Sequence, residues 1–226
     1  MPADSRDIIL RRIREALAVP APARHLEGVS PAATSQPPED WLPPVPHDPA
    51  ALVALFEKNS ADLKTEVVRC SDLAAVASAL SALARDNAWK SVGSHDFKLG
   101  TSAVAALGLP VVHTDQPYET AALERCDAGI SGCDCLVAQT GGIAVTSASA
   151  GGRALSVLPP HHVVIASCAQ LVGDLADAFA LARKNYGEVP AFFSFITGPS
   201  RTGDIERILV LGAHGPKRLT VILVEG

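Results

Sequence analysis

Apolar residues recur at helical spacing near the start of the chain, and the pattern then stops. A helix predicted for residues 6–18 has arginines on one face and, on the other, Ile9, Ile13, Ala16 and Leu17. Residues 19–50 show no such period and hold nine of the 17 prolines, which is typical of an extended linker. We therefore expect a helix and a tether over residues 1–50, followed by one domain over residues 51–226.

The first half of this domain alternates between strand-like and helix-like patterns. Short apolar strands are predicted at 66–69, 89–93 and 110–113. A helix capped by Ser71 separates the first two strands, and a helix over 97–107 separates the second pair. This order favours right-handed crossover connections and a mostly parallel sheet.

The second half differs, because its predicted strands follow one another too closely for crossover helices. Antiparallel pairing is therefore expected between residues 128 and 168. One helix beginning near Leu171 interrupts the series. The predicted strands cover residues 128–138, 142–148, 154–158, 163–168, 191–197, 208–213 and 219–224. The two halves together predict the α/β fold class, as a three-layer α/β/α sandwich with a mixed sheet.

Composition narrows the functional classes. The 226 residues carry a net charge of −5 and 48% apolar residues. No apolar run reaches the roughly 18 residues of a membrane span, so no membrane-spanning helix is expected. No basic face suits nucleic acid, so nucleic acid is not expected as a partner. No signal peptide is evident at the start. Of the 17 glycines, 16 lie at or after residue 93, mostly at the ends of predicted strands.

The cysteines indicate reduced thiols rather than a framework of disulfides. Their number is odd and their spacing irregular, which favours a cytoplasmic protein: Cys70, Cys126, Cys133, Cys135 and Cys168. The pair Cys133 and Cys135 would supply only half of a zinc site, and an iron–sulfur cluster needs four suitable ligands. The expectation is therefore no metal and no cofactor held by this chain.

One polar loop between apolar strands contains Gln139, Thr140, Gly141 and Gly142. Paired glycines let a backbone approach a ligand closely and expose its N–H groups. A tight hairpin turn explains the same residues equally well. A weaker signal comes from residues 93–96, Gly-Ser-His-Asp, which also follow a predicted strand.

A second polar loop, over residues 197–206, is dense in hydroxyl groups around one arginine. Such a loop after an apolar strand suits a carboxylate or a phosphate, and a short helical turn is expected to follow it. A helix cap with a local ion pair is the alternative. The candidate ligand-binding residues are Thr197, Gly198, Ser200, Arg201, Thr202 and Asp204.

Histidines provide the candidates for proton transfer. His161 and His162 follow a rigid double proline, and adjacent strand residues point to opposite faces, so at most one faces a given pocket. A structural histidine is an equally good interpretation. Arg153, upstream of the prolines, and His214, in a later loop, are further candidates for ligand binding, although a β-turn with solvated charges also explains the latter.

Four strings, taken together, are more specific than any single loop. They are GISGCDCLVAQTGGIAVTS, GRALSVLPPHHVVIA, FSFITGPSRTGDIE and LVLGAHGPKRLTVILV. In this order they resemble the LUD-domain family, and within it the LutC/YkgG type, over roughly residues 51–224. The resemblance implies a fold like that of the NagB/RpiA/CoA-transferase group. It also implies a part in oxidising L-lactate to pyruvate, with iron–sulfur and cysteine-rich partner proteins.

The resemblance leaves the activity open. The chain has Gln139 where the family pattern has glutamate before Thr-Gly, and a neutral amide cannot act as a general base. Glu206 is another candidate carboxylate. The first hypothesis is a non-redox component of a lactate-utilisation system that binds a small anionic ligand. The alternatives are a stand-alone enzyme acting on a sugar phosphate or CoA ester, and a pure interaction module that docks through its N-terminal segment.

Overall fold

The computed structural model describes residues 5–18, 43–188, 190–205, 208–212 and 214–225, without the side chains of residues 5 and 202–211. Contacts divide the chain into residues 1–43 and residues 44–226. Most of the predicted linker lies outside the described ranges. In the first unit, the residues predicted for the apolar face of the N-terminal helix, Ile9, Ile13, Ala16 and Leu17, are exposed.

Six α-helices are described, and several begin at an aspartate that caps the first turn. Asp72, rather than the predicted Ser71, accepts a hydrogen bond from the Ala75 amide at 2.8 Å. None of these helices combines the length and apolar content needed to cross a bilayer. They are α1 (Ser5–Ala18), α2 (Pro49–Asp62), α3 (Leu73–Asp86), α4 (Thr101–Ala106), α5 (Thr120–Glu124) and α6 (Leu175–Tyr186).

Twelve strands are described. The segment 154–158, predicted as a strand, is a series of turns instead. The predicted helical turn after residue 200 is not found among the described residues there, since residues 201–205 form strand β10. The strands are β1 (Glu66–Cys70), β2 (Val92–Ser94), β3 (Val111–His113), β4 (Ala128–Ser131), β5 (Cys135–Val137), β6 (Gly142–Thr146), β7 (His161–Ser167), β8 (Leu171–Val172), β9 (Phe193–Ile196), β10 (Arg201–Ile205), β11 (Ile208–Leu211) and β12 (Arg218–Val224).

The main sheet has six strands in the order β1-β12-β7-β4-β2-β3, and every pairing in it is parallel. The prediction of antiparallel pairing between residues 128 and 168 is therefore wrong for β4 and β7. The turns and loops between them, together with β5 and β6, carry the chain from the carboxyl end of β4 back to the amino edge of the sheet, where β7 begins. Parallel pairing buries both faces of β7.

A second sheet, in the order β8-β5-β6-β9, has two antiparallel pairs, β5–β6 and β6–β9, and one parallel pair, β5–β8. The chain crosses to it after Ser131 and begins β5 at Cys135. A separate hairpin joins β10 and β11. The domain thus has the predicted α/β class with a parallel-dominated main sheet, and the short strands form an extra layer.

The core follows the alternation of side chains along the central strands. In β7, Val163 and Ile165 pack in one core with α3 and α4. Val164 and Ala166 belong to the core on the other face, which contains residues of α2, β5 and β6. Helix α6 covers the far side of the second sheet, where Ala178 is buried. Both faces of the main sheet are therefore closed, and its strand ends are left to form sites.

His161 and His162, the first residues of β7, are buried on opposite faces, as the alternation predicts. His161 Nε2 lies 2.9 Å from Thr220 Oγ1, and His162 Nε2 lies 2.9 Å from Ser131 Oγ. Burial lowers the pKa of His161 to about 4, and the positive charge of Arg218 adds to this effect. Burial lowers the pKa of His162 to about 3. Both rings are therefore neutral at pH 7.

We expect the free energy of unfolding to fall as the pH drops from about 6.5 to 5. In this window both histidines become protonated in the unfolded chain but stay neutral in the folded protein. Each ring therefore lowers the free energy of unfolding by up to about 1.4 kcal/mol per pH unit. Urea unfolding at pH 7 and pH 5 measures the change. His162→Gln should reduce the pH dependence; an unchanged slope in this variant would contradict the assignment.

Candidate functional site

A cleft of about 600 Å³ opens at the carboxyl ends of β2, β4 and β7. The ends of parallel strands meet at one edge of a sheet, and this edge is where open α/β sheets bind ligands. The loop after β2 provides one wall, and the segments after β4, β6 and β7 provide the others. The polar side chains that line the cleft are His95, Asp96, Lys98, Ser149, Ser167 and Gln170.

His95 forms a stacked pair with Phe97, with 4.8 Å between ring centroids and 17° between planes. The histidine is buried, and burial lowers its pKa, although the nearby Asp115 carboxylate opposes this shift. The ring is therefore neutral at pH 7. Gly151 has φ +62°, and a Cβ there would lie 2.6 Å from the His95 ring. A glycine is thus needed at 151 for the histidine to keep its position.

Gln170 is held rigidly at the end of β7. Its Nε2 donates to the Cys133 carbonyl at 2.7 Å, and its Oε1 accepts from the Ser167 amide at 2.9 Å. Ser167 Oγ in turn accepts from the Ala169 amide at 3.2 Å, which completes a capping box. Among the described groups, none accepts the Ser167 hydroxyl proton, so this side chain can donate into the cleft.

Asp134 and Ser149 form a short hydrogen bond beside the cleft. Ser149 Oγ donates to one carboxylate oxygen at 2.5 Å, and the Tyr186 hydroxyl donates to the other at 2.5 Å. Ser149 Oγ also accepts from the Thr146 amide at 2.9 Å. Burial, followed by the bond to Asp134, raises the pKa of Tyr186. The network fixes the orientation of Ser149, the one member that lines the cleft.

The predicted loop at residues 197–206 lies at the other edge of the main sheet. Its groove of about 400 Å³ brings together five predicted residues, namely Thr197, Gly198, Ser200, Arg201 and His214. The exposed Arg201 guanidinium donates to the Thr197 carbonyl at 3.2 Å. Only the backbone of Thr202 and Asp204 is described, in β10, and Glu206 lies outside the described residues. Anion binding by this groove stays a prediction.

The predicted loop at Gln139–Gly142 is the hairpin between β5 and β6, and it packs on the end of α2. Asn59 Nδ2 donates to the Ala138 carbonyl at 2.8 Å and to the Gln139 carbonyl at 2.9 Å. Within the hairpin, Thr140 Oγ1 accepts from the Gly142 amide at 3.2 Å. The Asn59 contacts attach the hairpin to α2. A ligand role for the loop stays a prediction.

The remaining candidates lie apart from both openings. The Arg153 guanidinium stacks over the Phe192 ring at 4.8 Å. His161 and His162 line neither the cleft nor the groove. Proton transfer by either histidine therefore remains a prediction without a described contact to a ligand site. Among the described side chains, no group of three or more His, Cys, Asp or Glu residues could hold a metal ion.

Comparison with known proteins shows to which family the chain belongs. A family model described as LUD domain matches residues 53–224, most of the chain. The chain belongs to the LUD domain family. A crystal structure of a DUF162 family protein from Deinococcus radiodurans superposes with a TM-score of 0.59, at 24% identity over 79% of this chain and 99% of that one. This likeness concerns the fold alone.

Several curated relatives are called lactate utilization protein C. The one from Shouchella clausii is 31% identical over 140 residues, 61% of each chain. The one from Deinococcus radiodurans is 34% identical over 119 residues, 52% of this chain and 56% of its own length. For Bacillus subtilis the match is 34% identity over 105 residues, 45% and 44%. The chain thus spans about half the length of the curated relatives it matches.

The cleft residues Lys98, Ser149, Ser167 and Gln170 were not predicted as site residues. The only signal toward this edge was the string at residues 93–96, which includes His95 and follows a predicted strand. Ser149 and Gln170 lie in segments without a recognisable motif, and contacts with the connection between β4 and β5 hold both of them at the cleft.

We expect Gly141→Ala to destabilise the protein more than Gly108→Ala. Both glycines have φ +64°, so the left-handed backbone conformation destabilises an alanine by a similar amount, about 1–2 kcal/mol, at each position. At 141 a Cβ would also lie 2.6 Å from backbone atoms of Asn59 and Ser60, whereas nothing lies within 4 Å at 108. Overpacking adds about 1–3 kcal/mol. Urea unfolding checks this, and equal losses would show that the hairpin is not tightly packed on α2.

Proposed function

We propose that this LUD protein serves lactate utilisation in the cytoplasm, as a component that binds a small anionic 2-hydroxy acid and acts with iron–sulfur and cysteine-rich partner proteins. The name shared by its curated relatives supports the process. The carboxyl-edge cleft, with polar side chains converging from three strand ends, is the observation that supports ligand binding.

The chemistry of the cleft suits a carboxylate. Lys98 is exposed at its rim and supplies a positive charge. The Ser167 hydroxyl can donate a hydrogen bond, and the rigid His95–Phe97 stack provides an apolar wall. Asp96 carries a negative charge at the same rim, but its Oδ1 already accepts from Thr101 Oγ1 at 2.6 Å. A charge-assisted contact to Lys98 is worth about 1.5–3 kcal/mol.

Isothermal titration calorimetry with L-lactate tests the site. We expect Lys98→Ala to weaken binding by about tenfold or more, because the ligand carboxylate loses its charged partner. Arg201→Ala, a matched loss of an exposed cation from the other edge, should leave the affinity unchanged. The reverse result would move the site to the Thr197–His214 groove, and no binding by the wild-type chain would refute the proposed ligand.

Deletion of the protein from its source organism tests the process. We expect growth on L-lactate to be lost and growth on pyruvate to continue, because the defect precedes pyruvate. The wild-type chain should restore growth on lactate, and tagged protein should co-purify with iron–sulfur partner proteins. Normal growth of the deletion strain on lactate would contradict the proposal.

A stand-alone enzyme that acts on a sugar phosphate or CoA ester is the second candidate. The observation that favours it is the volume of the cleft, about 600 Å³, which exceeds the needs of a three-carbon acid. A thermal-shift comparison separates the two. Stabilisation by phosphates or acyl-CoA esters but not by 2-hydroxy acids, lost in Lys98→Ala, would favour the enzyme.

A further inference from the structure

The hydroxyl group of Ser149 is oriented so that it offers the carboxyl-edge cleft a hydrogen-bond acceptor and no donor. A serine hydroxyl has one proton to donate and two lone pairs that accept. The proton of Ser149 points to the Asp134 carboxylate, at an oxygen–oxygen distance of 2.5 Å. An ionised carboxylate only accepts hydrogen bonds, so it fixes the direction of this bond.

The surrounding groups fix the same polarity from the other side. The Thr146 amide donates to Ser149 Oγ at 2.9 Å. The Thr146 hydroxyl lies 3.4 Å from Ser149 Oγ and 3.2 Å from the Tyr186 oxygen, whose own proton goes to Asp134. The shorter distance directs the Thr146 proton to Tyr186. With the Thr146 proton on Tyr186, one lone pair of Ser149 Oγ stays free, so Ser149 can accept a hydrogen bond from the cleft but has no proton to donate to it.

Two other side chains of the cleft have the complementary polarity. The Ser167 hydroxyl can donate, and Lys98 at the rim is a donor without acceptor capacity. The connection between β4 and β5 supports both Gln170 and Ser149. Its Cys133 carbonyl accepts from Gln170, and its Asp134 carboxylate accepts from Ser149. A ligand in the cleft therefore meets both hydrogen-bond donors and an acceptor.

We propose that Ser149 is a specificity-determining residue that selects 2-hydroxy acids over 2-oxo acids. This inference rests on the proposed function, in which the cleft binds a small hydroxy acid. The hydroxyl of such a ligand donates to Ser149 Oγ while its carboxylate meets Lys98 and Ser167. The keto oxygen of a 2-oxo acid has no proton, so it would oppose the Ser149 lone pair with its own. A site built around a ligand hydroxyl discriminates strongly against an analogue that lacks it.

The ratio of two dissociation constants tests this selectivity. Titration calorimetry with L-lactate and with pyruvate should give the wild-type chain a preference for lactate of about tenfold. Ser149→Ala and Asp134→Asn should both bring the ratio close to one. The first removes the acceptor, and the second no longer forces the Ser149 proton away from the cleft. Ser156→Ala is the matched control, since this buried serine donates to the Arg153 carbonyl outside the cleft; it should keep the ratio.

The outcomes separate the inference from the proposed function. Equal affinities for lactate and pyruvate in the wild-type chain would overturn the selectivity while leaving the binding site in place. Loss of both affinities by the same factor in Ser149→Ala would also overturn it, because that pattern indicates a structural role. No binding of either acid would refute the proposed ligand and the selectivity with it. The ratio does not depend on the fraction of a variant that is folded.

Discussion

Parallel pairing of β7 between β12 and β4 is the constraint on which the rest of the structure depends. Six of the seven residues of β7 are buried, with side chains packed on both faces of the sheet. A parallel strand of this kind needs cover on both sides, which α3 and α4 provide on one face and α2 with the second sheet on the other. Because β4 and β7 run in the same direction, the segments that follow Ser131 and Ser167 both leave the sheet at its carboxyl edge.

The switch between sheets turns this edge into a cleft. The chain leaves the main sheet after Ser131 and enters the second sheet at Cys135, and the short connection carries the groups that orient both walls. Cys133 does so through its carbonyl and Asp134 through its carboxylate. The second sheet covers one face of the main sheet, and the connection that leads into it also fixes the positions of Gln170 and Ser149.

The sequence predicted the class of fold but did not single out the carboxyl-edge cleft, for a physical reason. Periodicity reports which residues are buried, and the strand–helix alternation before residue 120 therefore predicted the parallel sheet. The same signal failed at 154–158, where Leu155 is fully buried although the backbone forms turns. Polar density drew attention to the loop around Arg201, while Asp134 and Ser149 are 15 residues apart and Tyr186 lies 52 residues from Asp134. No local pattern shows that such residues converge.

The most direct measurement is a crystal structure of the full chain grown with L-lactate. We expect density for the acid in the carboxyl-edge cleft, with its carboxylate toward Lys98 and Ser167 and its hydroxyl within hydrogen-bonding distance of Ser149 Oγ. Density for the acid in the groove beside Arg201 and His214, with the carboxyl-edge cleft empty, would contradict it.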